Sequence, residues 1–390
     1  MRDKQKYLRD HCFGNLNLKD EDIKFLRMCV DKNTTPQQLA DYYATIDFEN
    51  LSGQHVCALA ELSTRLHYEG VPRSLNPRVR GVVRYYRMMN LGQMQDFHAF
   101  LKICNRQGID VMLMKGGAMK GYYKRNGICY MGDVDCWVRY EDFDRLCKLM
   151  QSNSEYESFV SMPHLVLKRE RYYVEAHQFF LKENLHKNNE AVFWEDAIST
   201  EIQGEKVFIP APESMLILIL TNIFLDAAEG DSILKRKWMR WITDINTILE
   251  EHQVDWDKVL ALCERYSLGL QVKTMLGIFC DIMPGKVPED ILGRINVADM
   301  TVKKIPVMLK RSAAHRMGQQ IRRKKRFRYA WLMLKYHWNY HRYVSEKFCL
   351  LIDLFTFPNY IKKMWGCKTW REWILYIFRK IKNVDSRKLS

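Results

Sequence analysis

Asp133 and Asp135 stand one residue apart within Cys129 to Val138, a stretch with the texture of a β-strand. Successive side chains of a strand alternate between faces, so both carboxylates project from one side with Cα atoms roughly 6.5 Å apart. Two carboxylates held that way repel unless a cation lies between them. They suit a pair of divalent ions about 3.5–4 Å apart, the arrangement that supports in-line displacement at phosphorus. Mg²⁺ (or Mn²⁺) is the expected cofactor. Such an ion takes few carboxylates and draws its remaining ligands from water and phosphate oxygens.

An Asp-x-Asp pair gains meaning from its surroundings. The apolar run Ile109 to Met114 reads as a buried strand, entered through Gly108 and closed by Lys115-Gly116-Gly117. Glycines at a strand-to-helix turn let backbone N–H groups approach phosphate, and a helix N-terminus adds a favourable dipole. Lys115, Gly116 and Gly117 are therefore the expected phosphate-facing residues. A third carboxylate, Glu175, lies in Tyr172-Tyr173-Val174-Glu175-Ala176-His177, sharing a strand face with Tyr173 and His177. Glu175 is positioned to bind metal or to accept the proton of an attacking hydroxyl. His177 has several open roles: orienting Glu175, binding phosphate, ligating metal, or packing beneath the site.

The elements that must hold these residues form a strand–helix–strand–helix–strand–strand unit. A helix is expected from Ala118 to Lys124, a turn at Asn126-Gly127 and a helix from Tyr140. Strands are expected over Leu165 to Lys168 and Tyr172 to Leu181, with Arg169-Glu170-Arg171 as the hairpin turn. Residues before Gly108 are helical by period, in Gln38 to Ala44, Val56 to His67 and Val79 to Ile103, with a break at Asn76-Pro77. Glu213 to Ala227, Lys237 to Leu249 and a segment from Asp255 to Tyr266 repeat that period. The reading is an α+β protein in four parts: an N-terminal helical region (1–105), an α/β core (106–210), a helical bundle (211–300) and a basic, aromatic tail (301–390).

In order and spacing these pieces resemble an uncharacterised bacterial nucleotidyltransferase family of the DNA-polymerase-β-like superfamily. The carrying residues are Met114-Lys115-Gly116 with Gly117, Gly132-Asp133-Val134-Asp135, Glu175-Ala176-His177, and Arg240-Trp241-Ile242-Thr243-Asp244-Ile245, over roughly residues 55 to 270. The resemblance implies a small mixed sheet with helices on its flanks. It also implies transfer of a nucleoside monophosphate from a nucleoside triphosphate to an acceptor that the sequence does not name. Asp133, Asp135 and Glu175 would be the catalytic, metal-holding carboxylates. Cys129 stands where this family often carries an arginine, and Lys115, Lys124 and Arg125 are the nearby cations in sequence.

The net charge of +15 is local to the tail, where residues 301–390 hold 23 Lys and Arg against four acidic residues. The cluster Arg322-Arg323-Lys324-Lys325-Arg326-Phe327-Arg328 and the tryptophans from Trp331 to Trp373 suit an anionic membrane surface or a nucleic acid. They equally suit an internally packed helical appendage. A non-catalytic scaffold working through this tail is the alternative reading of the whole chain. The 11 cysteines are scattered, with no Cys-x-x-Cys pair, which argues against a disulfide framework or a structural zinc site. The polar start and the lack of any run near 20 apolar residues make a cytoplasmic location the expectation, with peripheral membrane contact through the tail as an addition.

Overall fold

The computed structural model describes residues 2–16, 18–122, 131–161, 164–181, 190–229 and 234–297, together with Val302, Ile305, Thr369, Arg371, Glu372 and Leu375. Five helices come first: α1 (Arg2–Leu16), α2 (Asp20–Val30), α3 (Pro36–Thr45), α4 (Gly53–Arg65) and α5 (Asn76–Arg106). Their starts are written locally. The Thr35 hydroxyl oxygen accepts a hydrogen bond from the Gln38 backbone amide, the Thr35 backbone amide donates to Gln38 Oε1, and Pro36 fits the first turn of α3. Pro77 likewise sits in the first turn of α5, which begins at Asn76 without a side-chain cap. The chain leaves α5 through Gly108, whose φ of +65° a residue with a Cβ adopts only at a cost.

The sheet region follows as β1 (Val111–Leu113), α6 (Lys115–Tyr122), β2 (Val134–Val138), α7 (Tyr140–Gln151), β3 (Glu157–Ser161), β4 (His164–Arg169) and β5 (Tyr172–His177). It closes with α8 (Val192–Glu195), β6 (Ile198–Ile202) and β7 (Glu205–Ile209). One mixed seven-stranded sheet results, in the order β3-β4-β5-β2-β1-β7-β6. β2 runs parallel to β5 and antiparallel to β1. Both central strands nearest the aspartates are thus held on two sides, and every residue of β1 and β2 is buried.

Helices α9 (Pro212–Glu229), α10 (Leu234–Glu251), α11 (Trp256–Arg265), α12 (Gly269–Ile282) and α13 (Ile291–Arg294) complete the described chain. α9 packs on α1, α10, α11 and α12, while α10 packs on α4, so the helices before and after the sheet interleave. Buried side chains from all three regions, among them Leu8, Phe97, Val134, Phe193, Trp241 and Phe279, belong to one hydrophobic core. No described helix is long and apolar enough to cross a membrane.

The α+β reading holds, with corrections at the element ends. Helix α6 begins at Lys115, not at Ala118, so the Lys-Gly-Gly segment is its first turn rather than a loop before it. β2 begins at Val134, which leaves Asp133 on the bend leading into the strand. β5 ends at His177, four residues short of the expected Leu181. Three strands were not anticipated: β3, β6 and β7. β3 and β6 are the two edges of the sheet, and every residue of β6 but the last is exposed, so neither carries the apolar signature of a core strand. A turn signal was present between β6 and β7, where Gln203 and Gly204 both take positive φ, as a tight hairpin requires. Lys124, Arg125, the Asn126-Gly127 turn and Cys129 lie outside the described residues, as does the basic, aromatic run of the tail.

Candidate functional site

The bend before β2, β2 itself, β5 and the first turn of α6 deliver the candidate site residues, each for a reason visible in its local sequence. β2 and β5 pair in parallel with Asp135 opposite Glu175 and Trp137 opposite His177. Since side chains alternate along both strands, Asp135, Glu175 and His177 share one face of the sheet. Apolar Val134, Cys136, Val174 and Ala176 fill the other face and fix the register. α6 begins beside this face because the Met114 amide donates to the Asp135 carbonyl at 2.9 Å, tying the end of β1 to β2. Lys115 then takes φ +46°, an uncommon backbone for a residue with a side chain, and it turns the ammonium back toward the sheet.

Asp135 is the most enclosed of the carboxylates. Lys115 Nζ donates to its Oδ1 at 2.6 Å, and His177 Nε2 lies 2.8 Å from the same oxygen. Burial by itself would raise this carboxyl, but the Lys115 ammonium and the His177 hydrogen bond outweigh it. They hold Asp135 well below the usual carboxylate range. Burial works to lower Lys115, and Asp135 beside it carries the group above its ordinary value. His177 moves down, first because it is buried and then because the Lys115 charge faces it. At neutral pH the trio is therefore an ionised carboxylate, an ammonium and a neutral imidazole.

Asp133 and Glu175 complete a convergent set. One carboxylate oxygen from each of Asp133, Asp135 and Glu175 lies within 4.8 Å of the others. Three hard oxygen donors at that separation match the preference of Mg²⁺ or Mn²⁺, so the residues fit the expected cofactor. Asp133 does this from the bend before β2, not from in-strand alternation. Gly116 lies under the guanidinium of Arg240 on α10, and a Cβ at Gly116 would overlap it. Arg240 is aligned in turn by Asp244, 3.6 Å away at i+4. Gly117 is buried, and a Cβ there would press into Leu113, so this glycine keeps α6 close to β1.

All seven residues expected from sequence thus gather around one end of β2 and β5. Two neighbours were missed as site residues. His164 on β4 sits opposite His177, with ring centres 4.3 Å apart and Nδ1 3.9 Å from Glu175 Oε2. It had no motif around it, and only the antiparallel pairing of β4 with β5 brings it in. Arg240 was visible as part of a six-residue segment, but nothing in that segment shows that its helix crosses the glycine turn.

Comparison with known proteins agrees with this arrangement at the level of family. No curated protein matches the chain. Among solved structures, the chain is similar to an antigenic nucleotidyltransferase-like protein from Paracoccidioides brasiliensis. That likeness has 16% identity and a TM-score of 0.35, and covers 52% of this chain and 93% of that one. The family comparison reaches further, because residues 38–283, from the start of α3 to the end of α12, match the uncharacterised nucleotidyltransferase family as a continuous stretch. With its carboxylate cluster, glycine turn and sheet all inside that stretch, the chain belongs to the uncharacterised nucleotidyltransferase family.

Proposed function

We propose that the protein transfers a nucleoside monophosphate from a nucleoside triphosphate to a hydroxyl or phosphate acceptor, with Mg²⁺ or Mn²⁺ as cofactor. The observation that carries this reading is the convergence of Asp133, Asp135 and Glu175 beside the first turn of α6. These three carboxylates would hold the cation, which supplies charge neutralisation at phosphate and a more acidic attacking hydroxyl. Lys115, the backbone at Gly116 and the Arg240 guanidinium give the triphosphate a cationic seat at a helix N-terminus, while the Gly117 amide, expected to face phosphate, donates to the Met114 carbonyl and shapes the turn instead. Arg240 supplies from α10 the guanidinium that the family often places where this chain has Cys129. His177 holds Asp135 in place and leaves it ionised, and Glu175 either completes the metal set or takes the proton of the acceptor. The acceptor oxygen bonds to the α-phosphorus as the bond to the leaving pyrophosphate breaks.

Labelled nucleoside triphosphates incubated with the full chain, Mg²⁺ and a cell extract test this. Label should pass to one class of acceptor, and Asp133→Asn should abolish transfer without changing the melting temperature. Arg240→Ala should weaken triphosphate binding by about tenfold or more, as expected for a charge-assisted contact. Absence of any triphosphate binding in the presence of Mg²⁺ would sink the reading.

A further inference from the structure

We infer that His164, Glu175 and His177 form a second divalent-cation site, one that prefers a borderline transition ion of the Zn²⁺ class and shares Glu175 with the carboxylate cluster. Antiparallel pairing puts His164 directly opposite His177, so both imidazoles stand on the same face of the sheet. Glu175 lies two residues before His177 on that face. His164 Nδ1 is 3.9 Å and His177 Nε2 4.0 Å from the same oxygen, Glu175 Oε2. One ligand atom from each of the three falls within 4.8 Å of the others. An ion here takes the lone pair of His177 Nε2, so the ring proton moves to Nδ1 and the 2.8 Å hydrogen bond to Asp135 Oδ1 is given up.

The donor chemistry separates this site from its neighbour. Imidazole nitrogen suits Zn²⁺ and its neighbours in the first transition row, whereas Mg²⁺ keeps to oxygen. A tetrahedral ion with bonds of about 2.0–2.1 Å needs ligand atoms about 3.4 Å apart. The two measured separations would close by about 0.5 Å, within the reach of small side-chain rotations. Two nitrogens and one or two carboxylate oxygens then match the histidine–carboxylate sets that hold zinc. Because Glu175 belongs to both donor sets, an ion on the histidines draws on a ligand that the three-carboxylate set also uses. Zn²⁺ and Mn²⁺ should therefore hinder each other's binding.

The test needs no nucleotide, so its failure is separate from failure of the nucleotidyl-transfer reading. Co²⁺ is titrated into the full chain and followed by its visible d–d absorption, with Zn²⁺ and Mg²⁺ as competitors. One Co²⁺ should bind through nitrogen and oxygen ligands, be displaced by Zn²⁺, and resist a large excess of Mg²⁺. His164→Ala should lower Co²⁺ affinity at least about tenfold. His164→Gln, which preserves size and polarity at this part-exposed position, should do the same with an unchanged circular dichroism spectrum. Asp133→Asn should leave the band nearly intact. A band unaffected by both His164 variants would overturn the site. So would displacement of Co²⁺ by Mg²⁺ as readily as by Zn²⁺, or equal loss in Asp133→Asn, which would put the ion on the carboxylates alone.

Discussion

Asp135 and Asp96 are buried to nearly the same degree, 7% and 8% exposed, yet their surroundings drive the two carboxyls in opposite directions. Asp135 receives an ammonium at 2.6 Å and an imidazole at 2.8 Å, and stays ionised well below the usual range. Asp96, on α5, is pushed up to about 6 by burial, with Arg169 at 3.5 Å offsetting only part of it and the Glu170 charge adding to the rise. Its Oδ2 is buried without a hydrogen-bond partner among the described residues. Burial alone therefore does not decide whether a carboxyl is held ionised. The site invests a lysine in a left-handed backbone and a histidine on a paired strand to keep one buried charge available, while Asp96 carries its desolvation largely uncompensated.

That contrast can be broken most forcefully at Asp135. Asp135→Ala should lower Mn²⁺ affinity, read by electron paramagnetic resonance, by more than ~10²-fold, beyond what loss of a supporting residue costs. Asp96→Ala should leave it unchanged, and a comparable loss there would erase the distinction. Next in size is Asp96→Asn, which mimics the protonated acid. A rise from 3.8 to about 6 corresponds to about 3 kcal/mol, so the variant should gain about 2–3 kcal/mol in urea unfolding at pH 7. The folded value of Asp96 lies above its unfolded value, so its unfavourable contribution grows as pH rises from about 4 to about 6. The gain should accordingly vanish toward pH 4. Asp135 has the opposite sign: its folded value is depressed, so its contribution is present above the ordinary carboxylate range and lost as pH falls through the folded value. The smallest effect is expected from Lys115→Ala, about 1–2 kcal/mol of destabilisation, because the lysine side chain is 38% exposed and solvent screens the pair. A denaturant midpoint equal to the parent's would show that His177 alone compensates Asp135.

The central strands and most helices were legible because their periodicity is strong. The run ending at Met114, the strand carrying Asp135, and the helices of α3, α4 and α5 all show it directly in their residues. β3 and β6 were illegible for the opposite reason: edge strands with polar or exposed residues do not need an apolar alternation. Asp133 illustrates a middle case. Its place beside Asp135 was readable, but the geometry assigned to it assumed a strand that begins one residue later. The carboxylates nevertheless converge, because the bend at Gly132 and Asp133 carries the side chain toward Glu175.

The sequence by itself determined the local chemistry: which carboxylates, which glycines, which lysine, and the order that ties them to one family. Tertiary structure decided which of these groups touch. Strand pairing placed Glu175 across from Asp135 and brought His164 from an unmarked position to His177. Packing of α10 on α6 set Arg240 over Gly116, 124 positions away in the chain. Local propensity acts over a few residues, whereas register and helix packing are settled by burying apolar faces far apart in sequence, so the partners of a site emerge only when the sheet is assembled.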